Sequence, residues 1–270
     1  MAADRLPSRL FLPVIVWLIY MSWSLCLTYP LVWAPLTHIP LGDEPAATVP
    51  DFNLWTLQWN IDQLMRGYPS YWDAPIFFPT TGTFAFSDPQ PLTALLAAPV
   101  WLGLRSAAAG YNAVLILFLT LNGWFTFWLL KNWRLSTLAA LLAGVTMQSL
   151  PFLAQEMGVL QLLAMFGLLW SLLFMSRFLQ ECPRGIRCRS TMIGLALGII
   201  VTFLTCGYYG LFSLFVLPPA FLFFVAEENE NRKIWSLFFG MSKKCLRGLL
   251  LVGVLVVMLA GPFLWMQRWQ

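Results

Sequence analysis

Six acids collect in one stretch of this chain: Asp43, Glu44, Asp51, Asp62, Asp73 and Asp88. With Glu156 they make seven of its 12 acidic residues. Two neighbouring carboxylates, Asp43 and Glu44, can hold a divalent metal (Mg or Mn) that itself holds a phosphate or diphosphate. One of them can instead take a proton from an acceptor hydroxyl. The plain alternative is a pair of solvated loop charges, since short acidic pairs are weak motifs. Asp51 follows Pro50 and precedes an apolar helical face. That pattern puts it at or near a helix N-terminus as an N-cap, where free amides and the helix dipole favour a carboxylate. His38 is the single histidine. It can act as acid, base or ligand, or serve as an interfacial polar contact. Without a second histidine, neither a zinc hydrolase nor a histidine-based triad is assembled. Arg66 and Arg105 can clamp a lipid phosphate, or simply snorkel to headgroups.

The elements that carry these residues are dictated by composition. Of 270 residues, 59% are apolar, 16% aromatic and 10% charged, against roughly 25% charged in a soluble domain. Even a domain of about 300 residues buries only about three quarters of its extended surface. A soluble globular fold, a disordered chain and a disulfide scaffold are therefore excluded. The net charge of +4 comes with no arginine-rich arm and no zinc-ligand spacing, so no nucleic-acid partner is expected.

About 20 apolar residues cross a bilayer as a helix. Uncharged runs of that length are Leu10 to Tyr29, Tyr111 to Leu130, Leu135 to Gln155 (broken near its end by Pro151), Met157 to Ser176, and Gly248 to Gln267. Thr191 to Ala226 is uncharged over 36 residues, too long for one span. It divides at Cys206-Gly207-Tyr208-Tyr209-Gly210 into a hairpin of two. The expected fold is an all-α integral membrane protein with about seven transmembrane helices, residues 1–270 forming a single transmembrane domain. Pro89 to Leu104, with Pro91 and Pro99, reads as an interfacial or re-entrant helix. The first run is too long for a signal peptide's apolar region and lacks a small-x-small cleavage site, so it is read as retained.

Orientation follows from basic residues. With the N-terminus cytoplasmic, only Arg66, Arg105 and Arg268 of the 16 Lys and Arg residues lie outside. Residues 30–110 then form a long extracytoplasmic first loop, and residues 111–270 a helix bundle. Cys182, Cys188 and Cys245 fall in cytoplasmic loops and Cys26 and Cys206 in or beside helices, so no disulfide framework is expected. Rings alternate with acids along the first loop, from Trp33 to Phe86, and rings prefer the headgroup level. The loop is therefore expected to lie on the membrane face. Within it, Asp51 to Met65 reads as an amphipathic helix with Phe52, Trp55, Trp59, Ile61 and Met65 near one face. Inside the spans almost nothing is ionisable, which argues against a proton-coupled pump. Asn122, Thr126, Thr146, Gln148 and Gln161 are polar and can pair between helices. The acidic run from Glu227 to Glu230, followed by Trp235 to Phe239 and Lys243-Lys244, reads as a turn and a headgroup-binding helix.

Four pieces recur in a fixed order: Asp51-Phe52-Asn53-Leu54-Trp55 with Trp59; Trp72-Asp73-Ala74-Pro75-Ile76-Phe77-Phe78-Pro79; Thr83-Phe84-Ala85-Phe86-Ser87-Asp88; and Gln155-Glu156-Met157-Gly158-Val159-Leu160-Gln161. Over about residues 10 to 180, their order and spacing resemble the C-type glycosyltransferase superfamily (GT-C). The resemblance implies a polytopic membrane glycosyltransferase that takes a sugar from a polyprenyl-phosphate carrier at the extracytoplasmic face of the cell (inner) membrane. It implies Asp51 as catalytic base, with Asp43 or Glu44 as runner-up. Asn53, Trp55, Arg66, Asp88 and Gln161 would line the substrate. The family's histidine in the later turn is Val159 here. Family members run on beyond the point corresponding to Gln270, so the chain corresponds to an N-terminal portion. The acceptor is left open. A second reading stays open too: a non-enzymatic or degenerate membrane protein assisting lipid-linked glycan handling.

Overall fold

The computed structural model describes residues 6–181 and 188–228, with isolated residues between 250 and 265. The expected span Gly248 to Gln267, the segment from Asn229 to Arg247 that was expected inside, Cys182 and Cys245 lie largely or wholly outside the described residues. The described elements are helical: α1 (Leu6–Leu27), α2 (Thr48–Arg66), α3 (Pro91–Leu104), α4 (Ala107–Asn132), α5 (Thr137–Gln148), α6 (Pro151–Gln155), α7 (Phe166–Glu181), α8 (Cys188–Thr205) and α9 (Gly207–Glu228), joined by short 3-10 turns. No strand occurs among the described residues.

Four stretches are long and apolar enough to cross a membrane: Ala107–Asn132, Thr137–Gly158, Leu160–Glu181 and Gly207–Phe224. Shorter apolar helices cover Phe11–Leu27, Pro91–Leu104 and Arg189–Thr205. The 36-residue uncharged run does divide at Cys206. Two boundaries differ from expectation. The helix expected to reach Gln155 ends at Gln148, because Leu150 precedes Pro151 and takes an extended ψ of 131°, the conformation that a following proline favours. Cys188 is the first residue of α8, not part of a loop.

The described residues divide into two compact units, one within Met1–Gln58 and Thr93–Phe166, the other within Trp59–Leu92 and Gly167–Gln270. In the first, α1 packs on α4 and α5. Val16, Tyr20, Ser24 and Thr28, spaced by four, are buried, while Phe11, Val14, Ile15 and Leu18 are exposed. The buried row is the helix periodicity of one face. It is polar toward its neighbours and aliphatic away from them, as expected where the surroundings are lipid. Gln148 closes this contact. Its Nε2 lies 3.0 Å from the Tyr20 carbonyl, 2.9 Å from Ser24 Oγ and 3.0 Å from the Leu119 carbonyl. Asn122 likewise reaches across, donating to the Leu163 carbonyl at 2.9 Å. Thr126 and Thr146 instead donate to carbonyls of their own helices.

In the second unit, α8 packs on α9 around Met175, Leu195 and Phe224. α7 and α8 approach closely at Gly198, where an added Cβ would meet the Ser171 backbone. Small residues permit such approaches between apolar helices.

Candidate functional site

Most of the sequence-derived candidates sit on α2 and the segments around it. Asp51 is not the N-cap. Its amide already donates to the Ala47 carbonyl at 2.8 Å, so it lies inside the first turn, where the helix dipole still favours a carboxylate. Its side chain is exposed.

On α2 the buried side is largely polar. Asn53, Thr56, Asn60 and Gln63 are buried together with Leu57 and Ile61, whereas Phe52, Leu64 and Met65 are exposed. The helix therefore turns its amides and hydroxyl inward and part of its apolar surface outward. Asn53 donates to the Val49 carbonyl of its own helix at 3.0 Å. Trp55 is half-buried and stacks on Phe52, with ring centroids 5.6 Å apart. Arg66 is exposed at the last residue of α2.

In the first unit, three sequence-distant segments are clasped together. The Asp43 amide donates to the Gln155 carbonyl at 2.8 Å. An added Cβ at Gly158 would run into Leu41 and Pro50, and one at Gly42 (φ +66°) into the 155–158 turn. The residues adjoining Asp43, Asp51 and Glu156 thus belong to one tight contact. Asp43 is exposed and Glu44 half-buried. Gln161 is half-buried in the 3-10 turn Leu160–Leu163.

Two residues that sequence reasoning passed over hold this assembly. Asn112 Nδ2 donates to the carbonyls of Pro35 (2.9 Å) and His38 (2.7 Å). Tyr111 Oη lies 3.3 Å from the Met157 carbonyl and 3.2 Å from that of Gly158. The available signal was a Tyr-Asn pair at the mouth of an apolar run. His38 itself is exposed, its Nδ1 2.9 Å from Thr37 Oγ1, a plain polar contact.

No three His, Cys, Asp or Glu side chains among the described residues come together as a metal-holding group. Asp43 and Glu44 alone do not form a complete ligand set.

In the second unit, Asp88 is buried. Its Oδ2 accepts the Gly207 amide at 3.0 Å, at the N-terminus of α9, and it also takes hydrogen bonds from the Gln90 amide and the Cys206 thiol. Burial pushes its carboxyl up to about 7, against the lowering pull of these donors. A Cβ on Gly207 would sit 3.3 Å from Asp88 Oδ1, so the close approach uses the missing side chain. Burial also raises the Tyr71 phenol, with Tyr68 and Asp88 adding to the effect. Tyr71 donates to Asn60 Oδ1 at 2.7 Å, and Asn60 donates to the Pro89 carbonyl at 2.7 Å. The partnership of Asp88 with Cys206-Gly207 was not legible beforehand: that pentapeptide read only as a hairpin turn.

Comparison with protein-family models, with characterised proteins and with solved structures gives no match.

Proposed function

We propose that the chain is an integral membrane glycosyltransferase of the C type, or the N-terminal part of one, lying in the cell membrane with its N-terminus cytoplasmic. It would move a sugar from a polyprenyl-phosphate carrier to an acceptor at the extracytoplasmic face. The observation that carries this reading is the clasp around Asp51. An exposed carboxylate stands in the first turn of α2, beside a turn contributed by the end of a membrane-length stretch. An acid so placed can meet a substrate whose lipid tail stays in the bilayer.

In the proposed reaction the acceptor hydroxyl oxygen attacks the anomeric carbon and the bond from that carbon to the phosphate oxygen breaks. Asp51 takes the hydroxyl proton, and polyprenyl phosphate leaves with the electron pair. The developing phosphate charge needs compensation, for which Arg66 and Arg105, both exposed, are the cationic candidates of the 30–110 segment. One observation favours the non-enzymatic alternative: the position of the family's histidine is filled by Val159, which is buried.

The test is Asp51→Asn, assayed by transfer of labelled sugar from the lipid-linked pool in isolated membranes. A general base contributes typically about 10²–10⁴-fold, so the variant should lose at least about a hundredfold in rate at unchanged expression. Transfer at the parental rate rejects Asp51 as the base. Transfer that survives loss of Asp51, Asp43 and Glu44 together favours the non-enzymatic reading.

A further inference from the structure

The loop between Asp73 and Asp88 is built as a closed knuckle. Its neck is fastened by three bonds: Gly82 amide to Asp73 Oδ1 (2.9 Å), Thr83 Oγ1 to the Ala74 carbonyl (2.9 Å) and Phe84 amide to the Trp72 carbonyl (3.0 Å). Its base is aromatic. Phe84 is fully buried, with ring centroids of Tyr71 at 5.2 Å, Trp59 at 6.2 Å and Trp72 at 6.5 Å. The tip is different. Phe78 is 93% exposed and Phe77 64% exposed, and the Phe77 ring lies 5.8 Å from that of Phe86, itself exposed. Residues 74–87 carry no charge. Phe77 is held at φ 56°, the left-handed region that a bulky side chain adopts only at a cost of about 1–3 kcal/mol. A loop fastened at the neck, with a strained backbone that holds an uncharged aromatic tip outward, is not arranged to bury those rings against its own base.

The level of this tip is set by α9. Asp88 accepts the amide of Gly207, the first residue of α9, and Phe86 is only two residues before Asp88, at most about 7 Å of chain away. From Gly207 onward α9 presents an exposed apolar wall: Tyr208, Leu211, Phe212, Leu214 and Phe215. This wall belongs to a stretch long and apolar enough to cross a bilayer. The tip is thus tied, through Asp88, to the end of α9 at which that exposed wall begins.

We infer that Phe77, Phe78 and Phe86 insert into the headgroup–acyl boundary of the leaflet at the N-terminal end of α9, and so anchor the loop to the membrane. The inference rests on α9 crossing the bilayer, but not on glycosyl transfer. Amphipathic and aromatic rings gather at that depth, and apolar contact there requires no partner protein.

The test replaces Phe78 with the photoreactive residue p-benzoylphenylalanine. A parallel chain carries it at Leu142, an exposed position on α5. Both are irradiated in vesicles of phosphatidylcholine with a minor share of phosphatidylglycerol, and in native membranes, and adducts are read by mass. Lipid adducts should form at 78 as well as at 142. Lipid adducts at 142 with none at 78 overturn the anchor while leaving the membrane reading intact. A protein adduct at 78 overturns it in favour of a protein contact. Absence of lipid adducts at both positions overturns the membrane reading and the anchor with it. Position 78 is exposed, so the probe is accommodated without disturbing the buried base.

Discussion

Two of the places where this molecule buries polar groups do so by different means. In the α1–α4–α5 contact every buried polar group is neutral: the Tyr20 hydroxyl, the Gln148 amide, and Ser24 with Thr120 at 3.1 Å. Their partners are mostly backbone carbonyls. At the foot of the 67–92 loop the buried group is a carboxyl, Asp88, satisfied by two amides and a thiol. A neutral amide loses little when it leaves water for a set of hydrogen bonds, whereas an ionised carboxylate loses much more. The first contact is therefore indifferent to pH and sensitive to shape; the second is sensitive to pH.

The strongest test of that contrast is steric. A Cβ at Gly144 would fall on the Tyr20 hydroxyl and ring, a rigid group already tied to carbonyls of α5. Gly144→Val should cost at least about 3 kcal/mol, the upper range for overpacking, and show as loss of monodisperse protein or a large drop in melting temperature in detergent. A Gly144→Val variant of parental stability would break the comparison. The next test is titration. The Asp88 carboxyl is raised from 3.8 to about 7, so the folded state keeps a proton that the unfolded chain releases. Stability should fall as pH rises from about 4 to about 7 and level off above. Asp88→Asn should flatten that part of the profile, measured as melting temperature against pH, while Gln148→Leu should lower the whole curve without changing its slope. A slope that persists in Asp88→Asn would place the titrating group elsewhere. The smallest effect belongs to Tyr20→Phe. It removes bonds of 3.2 and 3.4 Å to the Leu141 and Ala140 carbonyls and leaves the ring in place. About 0.6 kcal/mol is typical of such a bond between apolar helices.

The helices of the first unit were legible because uncharged runs of sufficient length have few other fates. Asn122 and Gln148 were legible as interhelical pairs for the same reason: a polar group in such a run needs a partner. What could not be read was which face of α2 turns inward. An amphipathic pattern fixes two faces but not which one meets protein when the other side is lipid rather than water, and α2 buries Asn53, Asn60 and Gln63 while exposing Met65. The rings of the first loop were misjudged on similar grounds. They were expected at headgroup level as a set, but Tyr71 and Phe84 form a buried base, whereas Trp33, Tyr68, Phe77, Phe78 and Phe86 are exposed. The partner of Asp88 was beyond reach because it lies 119 residues downstream, and local spacing carries no information at that distance.

That same separation has a bearing on biosynthesis. The carbonyls of Pro35 and His38 are translated before Asn112, Asp43 before Gln155, and Asp88 well before Cys206 and Gly207. A nascent chain halted ahead of α9 would carry Asp88 without the amide and thiol that receive it, so the knuckle and its tip would lack their mooring until the ribosome had supplied the final described helix. Maturation of this loop is thus scheduled from its C-terminal side, and a shortened product should be recognised by quality-control proteases through residues far upstream of the cut.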